Sequence, residues 1–203
     1  MTAYAQRERR LLADLLLRLG PDQPTLCEGW TTRDLAAHLV LRDRRPDAAA
    51  GGLLPPLHGY AERVRLGIAA RPYAEIVHDA RRAPWWSPVS NPLLDEVTNT
   101  IEFFVHHEDA RRGQPGWQPR DLDRGFESAL WKAVRVTGRL TLRRAGVRVR
   151  VNADGYGSFD VGDTPSATLS GPPGEIALFV TGRKENARVT VDGDDLRNAR
   201  LAL

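Results

Sequence analysis

From residue 3 to residue 19 the apolar side chains Tyr4, Leu11, Leu12, Leu15, Leu16 and Leu19 recur at helical spacing, with arginine and aspartate between them. One apolar stripe at that period predicts an amphipathic helix, which Gly20-Pro21 ends. A proline- and glycine-punctuated turn follows, Pro21-Asp-Gln-Pro-Thr-Leu-Cys-Glu-Gly-Trp30. Thr31-Thr-Arg-Asp34 has the form of a capping box with Asp in place of Glu, so a second helix starts there. It presents Leu35, Leu39 and the stem of Arg42 on one face, with His38 beside them. It stops near Arg45-Pro46, since the residue before proline resists helical geometry.

Residues 46–56 read as a loop or short helix, and 57–69 and 73–83 as two further helical pieces split at Arg71-Pro72. Pro84-Trp-Trp-Ser-Pro88 is an aromatic loop, and Asn91-Pro92 is a natural helix start. The helix from 92 to 112 is the longest so far, stopped by Gly113-Gln-Pro-Gly116. Residues 121–144 are helical again, with Leu122, Phe126, Ala129, Leu130, Ala133, Val134 and Leu140 as the core stripe and Gly138 as a weak point.

After Gly146 the period changes from helical to two. Val147–Val151 alternates strictly, Asn152-Ala-Asp-Gly155 turns the chain, and Tyr156–Val161 alternates again. Ala167–Leu169 predicts a short strand, Ser170-Gly-Pro-Pro-Gly-Glu opens a helix that ends at Gly182, and Ala187–Val191 is a last strand with Asp192-Gly193 as its turn. Residues 1–145 therefore read as an all-helical bundle and 146–203 as a small α+β unit, too small to be independent with assurance.

Composition narrows the classes. The 41% hydrophobic content suffices for a buried core, and no run approaches the ~18 apolar residues of a membrane span. The N-terminus lacks the apolar core of a signal peptide, and Cys27 is the only cysteine, which excludes an internal disulfide framework. A soluble cytoplasmic protein is expected. The net charge of +3 does not point to nucleic acid, because 29 basic residues, all but two of them arginine, are interspersed with 26 acidic ones. The arginine-rich, lysine-poor usage is that of a GC-rich genome.

The chemistry sits on the 92–112 helix. Glu102 and His106 are four apart, so both side chains leave one face. With His38 from another helix they form a His₂Glu set, three ligands with positions left open, the catalytic rather than the structural arrangement. Zn²⁺ suits this set best, with Ni²⁺, Fe²⁺ and Mn²⁺ also compatible. Taken alone, a Glu/His pair at this spacing is often a solvated ion pair, and a histidine beside leucines is often hydrogen-bonded core. Against that, Glu102 stands among Ile101, Phe103, Phe104 and Val105, and a buried carboxylate needs a partner. Asn99 and Asp109 share its face, and Asp109 can accept the second ring N–H of a ligating histidine. His107 points about 100° away and is a neighbour. His58 and His78 read as surface residues. Cys27 is a thiolate ligand, a redox thiol or, as its turn before Trp30 favours, a small packed residue.

Two motifs carry a resemblance. Gly29-Trp-Thr-Thr-Arg-Asp-Leu-Ala-Ala-His38 and Glu102-Phe-Phe-Val-His106-x-x-Asp109 together resemble the mycothiol-dependent maleylpyruvate isomerase family, and the composition is of actinobacterial type. The resemblance implies an α+β protein: a DinB-like metal-binding four-helix bundle followed by a small C-terminal domain similar to a sterol-carrier fold. It implies a divalent metal, usually zinc, held by His38, Glu102 and His106, with Asp109 in support. It also implies a catalytic arginine from the C-terminal domain, matched by Arg183, which equally fits an arginine complementing a helix C-terminus. The expected reaction is transfer of a low-molecular-weight thiol such as mycothiol to a small electrophile, or a thiol-assisted isomerisation, on an open metal that stabilises a thiolate. A non-catalytic metal-binding module (sensor, carrier or interaction protein) and a purely structural protein are the alternatives. Oligomeric state stays open, a homodimer included.

Overall fold

The computed structural model describes residues 3–49, 51, 54–87 and 92–201. The helix start read at Asn91 lies outside them, as does the end of the aromatic loop at Pro88. Packing divides the chain into two compact units: Met1–Asn99 with His106–Gln118, and Thr100–Val105 with Pro119–Leu203. Among the described residues no helix is long and apolar enough to cross a membrane.

The first unit holds helices α1 (Ala3–Leu19), α2 (Thr32–Arg44), α3 (Pro46–Ala49), α4 (His58–Ala69) and α5 (Tyr73–Ala80), and both ends of α6 (Pro92–Arg112), whose middle, Thr100–Val105, belongs to the second unit. Helix α2 packs on α4 and α5, and α1 on α5. The capping box forms: Asp34 accepts from the Thr31 amide at 3.0 Å and from its hydroxyl at 2.9 Å. The Asp34 carboxyl is half-buried, and burial pushes its pKa up. Hydrogen bonds from Arg65 and Thr31 outweigh that and hold it below the ordinary 3.8. The interior of this unit is not wholly apolar. Besides Leu12, Leu16, Leu35 and Ile76 it buries Glu8 and Arg9. Arg9 bonds Asp43 at 2.6 Å and the Ala80 carbonyl at 3.0 Å, and Glu8 lies 2.9 Å from the His107 ring. Leu11 and Leu17 face outward instead.

The second unit is built on a four-stranded sheet in the order β2-β1-β3-β4, with β1 (Val149–Ala153), β2 (Gly157–Val161), β3 (Ala167–Gly171) and β4 (Thr190–Asp192). The β1–β2 and β3–β4 pairs are antiparallel and β1–β3 is parallel, with Val151 opposite both Phe159 and Leu169. Helix α7 (Arg124–Arg144) packs on α8 (Pro173–Val180) and on β2, and α8 packs on β3. The buried face is apolar: Val149, Val151, Leu169, Ile176, Leu178 and Val180. The short helix α9 (Asp194–Asn198) closes the chain.

The differences from the sequence expectation have local causes. Helix α7 starts at Arg124, because the Asp123 carboxylate caps the Phe126 amide at 2.9 Å. Its exposed Leu140 leaves the stripe, where Trp131 and Leu142 are buried instead. The first strand starts at Val149, because the Val147 amide is bonded back to Leu142 of α7 at 3.3 Å. The last strand starts at Thr190, because Glu175 takes the Arg188 amide at 2.7 Å and keeps it out of the ladder. Helix α9 follows Asp192-Gly193, which read as a turn. The expected boundary at 145/146 marks the change of period, whereas packing places α7 with the sheet.

Candidate metal centre

Helix α6 presents Glu102 and His106 one turn apart, as their spacing requires. Helix α2, set by its capping box and by buried Leu35, Leu39 and Val40, presents His38. One ligand atom each of His38, Glu102 and His106 lies within 4.8 Å of the others. His38 and Glu102 are half-buried, and His106 is 9% exposed. The rings of His38 and His106 stand edge to face with centroids 5.0 Å apart.

The donor set fits a divalent cation. Two imidazoles and one carboxylate are borderline ligands of the zinc type, and three of them leave room for a water or a substrate atom. The orientation of His106 fits as well. Its Nδ1 lies 2.9 Å from Oδ2 of the fully buried Asp109. A carboxylate only accepts, so Nδ1 carries the proton, and in the neutral ring Nε2 then keeps its lone pair for a ligand.

Trp30 lies against His38, centroids 5.3 Å apart, and the Arg65 guanidinium covers the same indole at 5.0 Å. Arg65 is also bonded to Asp34 and, at 2.6 Å, to Glu62, and these partners hold its pKa above the ordinary value. One turn from His38, Arg42 bonds Asn99, the residue one turn before Glu102. The sequence placed Trp30 in its motif but gave no signal for Arg65, which sits in a weakly patterned helix.

Cys27 is placed by the loop before α2. Gly29, at φ +72°, lets the chain turn so that the Trp30 amide bonds the Cys27 carbonyl at 2.9 Å. The loop lies against the end of α6, where the Leu26 amide bonds the Asp109 carbonyl at 3.1 Å. A Cβ on Gly113 would meet the Pro24 carbonyl oxygen at 2.5 Å, so only glycine permits this approach. The result sets Cys27 Sγ 3.2 Å from Asp109 Oδ2 and 4.0 Å from His106 Nδ1.

The other expected residues sit elsewhere. His107 is buried against Glu8, and His58 and His78 are exposed. Arg183 follows α8 and donates to the Thr181 carbonyl at 2.6 Å, as an arginine at a helix end does.

Residues 2–56 match the family model of the mycothiol maleylpyruvate isomerase N-terminal domain. This supports the family that the two motifs resemble. The matched segment contains Cys27, Trp30 and His38, and α6 lies beyond it. No curated protein and no solved structure gives a significant match.

Proposed function

We propose that this protein is a zinc-dependent enzyme of the mycothiol maleylpyruvate isomerase type, which transfers or adds a low-molecular-weight thiol to a small electrophile. The observation that carries this reading is the convergence of His38, Glu102 and His106 within 4.8 Å, with Asp109 Oδ2 2.9 Å from Nδ1 of His106. The family match over residues 2–56 supports mycothiol as the thiol.

His38, Glu102 and His106 would hold the metal. When bound, it supplies a Lewis acid that lowers the pKa of a thiol and favours the thiolate near neutral pH. Asp109 keeps His106 in the Nδ1–H tautomer and fixes its ring. Trp30, backed by Arg65, restricts the tilt of His38. Arg183 is the candidate for gripping a substrate carboxylate, a role for which a guanidinium fork is suited. The likeness of the sheet unit to a sterol-carrier fold and a cytoplasmic location belong to the same proposal.

The test is turnover. The zinc-loaded protein, mixed with mycothiol and a panel of electrophiles that includes cis-configured α,β-unsaturated diacids, is expected to convert at least one of them. His38→Ala and chelator-treated protein are expected to lose that activity. Stoichiometric metal and thiol binding with no turnover across the panel would instead mark a non-catalytic carrier or sensor.

A further inference from the structure

The His106 nitrogen beside Asp109, Nδ1, lies in a second donor cluster that includes Cys27. We propose that Cys27 Sγ, Asp109 Oδ2 and His106 Nδ1 form a second site, for a soft, thiophilic divalent cation, and that this site competes with the first for His106. The competition rests on the metal centre proposed above; the second site stands on its own residues.

The three donors are already clustered, at 2.9, 3.2 and 4.0 Å from one another. Ligands placed tetrahedrally at ordinary metal–sulfur, –nitrogen and –oxygen bond lengths stand roughly 3.3–3.6 Å apart. The observed spacings straddle that value, so shifts of about half an ångström would open the cluster around an ion, water completing the coordination. The donor set differs from the first in having sulfur. A thiolate selects soft ions, and imidazoles with a carboxylate suit zinc-like ions equally well or better. Cys27 is half-buried, so an ion can reach it, and Asp109 is fully buried, so its charge is little screened.

The exclusion follows from imidazole chemistry. A neutral ring has one N–H and one lone pair. With Nε2 on a metal at the first site, Nδ1 carries the proton and donates to Asp109. Coordination through Nδ1 moves that proton to Nε2, and the first site is left with His38 and Glu102. The thiol proton of Cys27 is released to solvent as the metal–sulfur bond forms, and no oxidation state changes. A soft ion at the second site would therefore eject the zinc-like ion from the first.

Cadmium alone is the probe. Zinc-loaded protein is titrated with Cd²⁺ while the ultraviolet thiolate–cadmium charge-transfer band and the protein-bound zinc are measured together. The wild type is expected to gain the band to one cadmium per chain and to lose one zinc in step. Cys27→Ser is expected to show no band and to keep its zinc to at least tenfold higher Cd²⁺. Glu102→Gln, which damages only the first site, is expected to keep the band. The proposal is overturned if no band appears at stoichiometric Cd²⁺, if it persists in Cys27→Ser, or if it forms while the zinc stays bound. A wild type that takes up no zinc yet shows a Cys27-dependent band would refute the proposed function and leave the second site standing.

Discussion

The two units bury different materials. In the sheet unit Glu175 is the one buried ionisable side chain among the described residues, and it accepts the Arg188 amide. Around it the interior is valine, leucine, isoleucine and phenylalanine. The helical unit buries Glu8, Arg9, Asp43, Arg65, His107, Glu108 and Arg112 along with His106 and Asp109 of the candidate centres. Apolar burial contributes roughly 25 cal/mol per Å², whereas a buried ion pair seldom repays its desolvation. A fold that needed only stability would use the first kind of interior throughout. Part of this polar interior lies along the helix that carries Glu102 and His106, where each buried carboxyl group holds a neighbour. Glu108 binds Arg111 at 2.9 Å and Arg112 at 2.6 Å, Glu8 holds His107, and Asp109 holds His106.

That contrast predicts opposite responses to substitution. The largest effect is expected at Glu108. Glu108→Ala leaves the Arg112 guanidinium buried without its carboxylate and should destabilise the protein by about 3–5 kcal/mol, read from denaturant unfolding. A cost under about 1 kcal/mol would mean that the charged interior is not stabilising the helix end in this way. In the apolar unit, Ile176→Ala is expected to cost about 2–5 kcal/mol while leaving metal content unchanged, as unfolding and metal analysis on one sample would report. Loss of metal in that variant would break the division between the two interiors.

Asp109→Asn is gentler. The amide keeps the size but can present its NH₂ toward Nδ1, so metal affinity should fall by about 10–100-fold in a competitive chelator titration, with unfolding little changed. Equal loss of stability and affinity would make Asp109 a packing residue only. The smallest effect belongs to Asp34. Its pKa is depressed in the folded protein, so its contribution is fully present above about 3.8 and is lost as pH falls through the lower folded value. Asp34→Asn should therefore cost about 1 kcal/mol at neutral pH, and the gap to wild type should close below pH 3.8. A gap independent of pH would assign the effect to packing.

The same contrast decides what could be read from sequence. The sheet unit announces itself, because alternation at Val147–Val151 and Tyr156–Val161 is the signature of a half-buried strand, and its strand errors are end effects of one to three residues. The clustering of His38, Glu102 and His106 was legible too, since spacing puts Glu102 and His106 on one face of α6 and the capping box starts the helix that carries His38. The charged interior was not. Glu8 and Arg9 look like the solvated side of α1 until their partners Asp43 and His107 are brought in from more than thirty residues away. Cys27 read as a packed residue because its approach to Asp109 depends on Gly113, which looked like nothing more than a helix stop. Arg42 read as an apolar stem, yet it bonds Asn99.

His38, Glu102 and His106 are proposed to hold one metal ion. Elemental analysis of the protein as purified, beside His38→Ala and Glu102→Gln, tests it most directly. The wild type is expected to hold one divalent ion per chain and either variant less than a tenth of that, with both variants folded by circular dichroism. Wild-type protein without metal, or variants that retain it, would contradict the account.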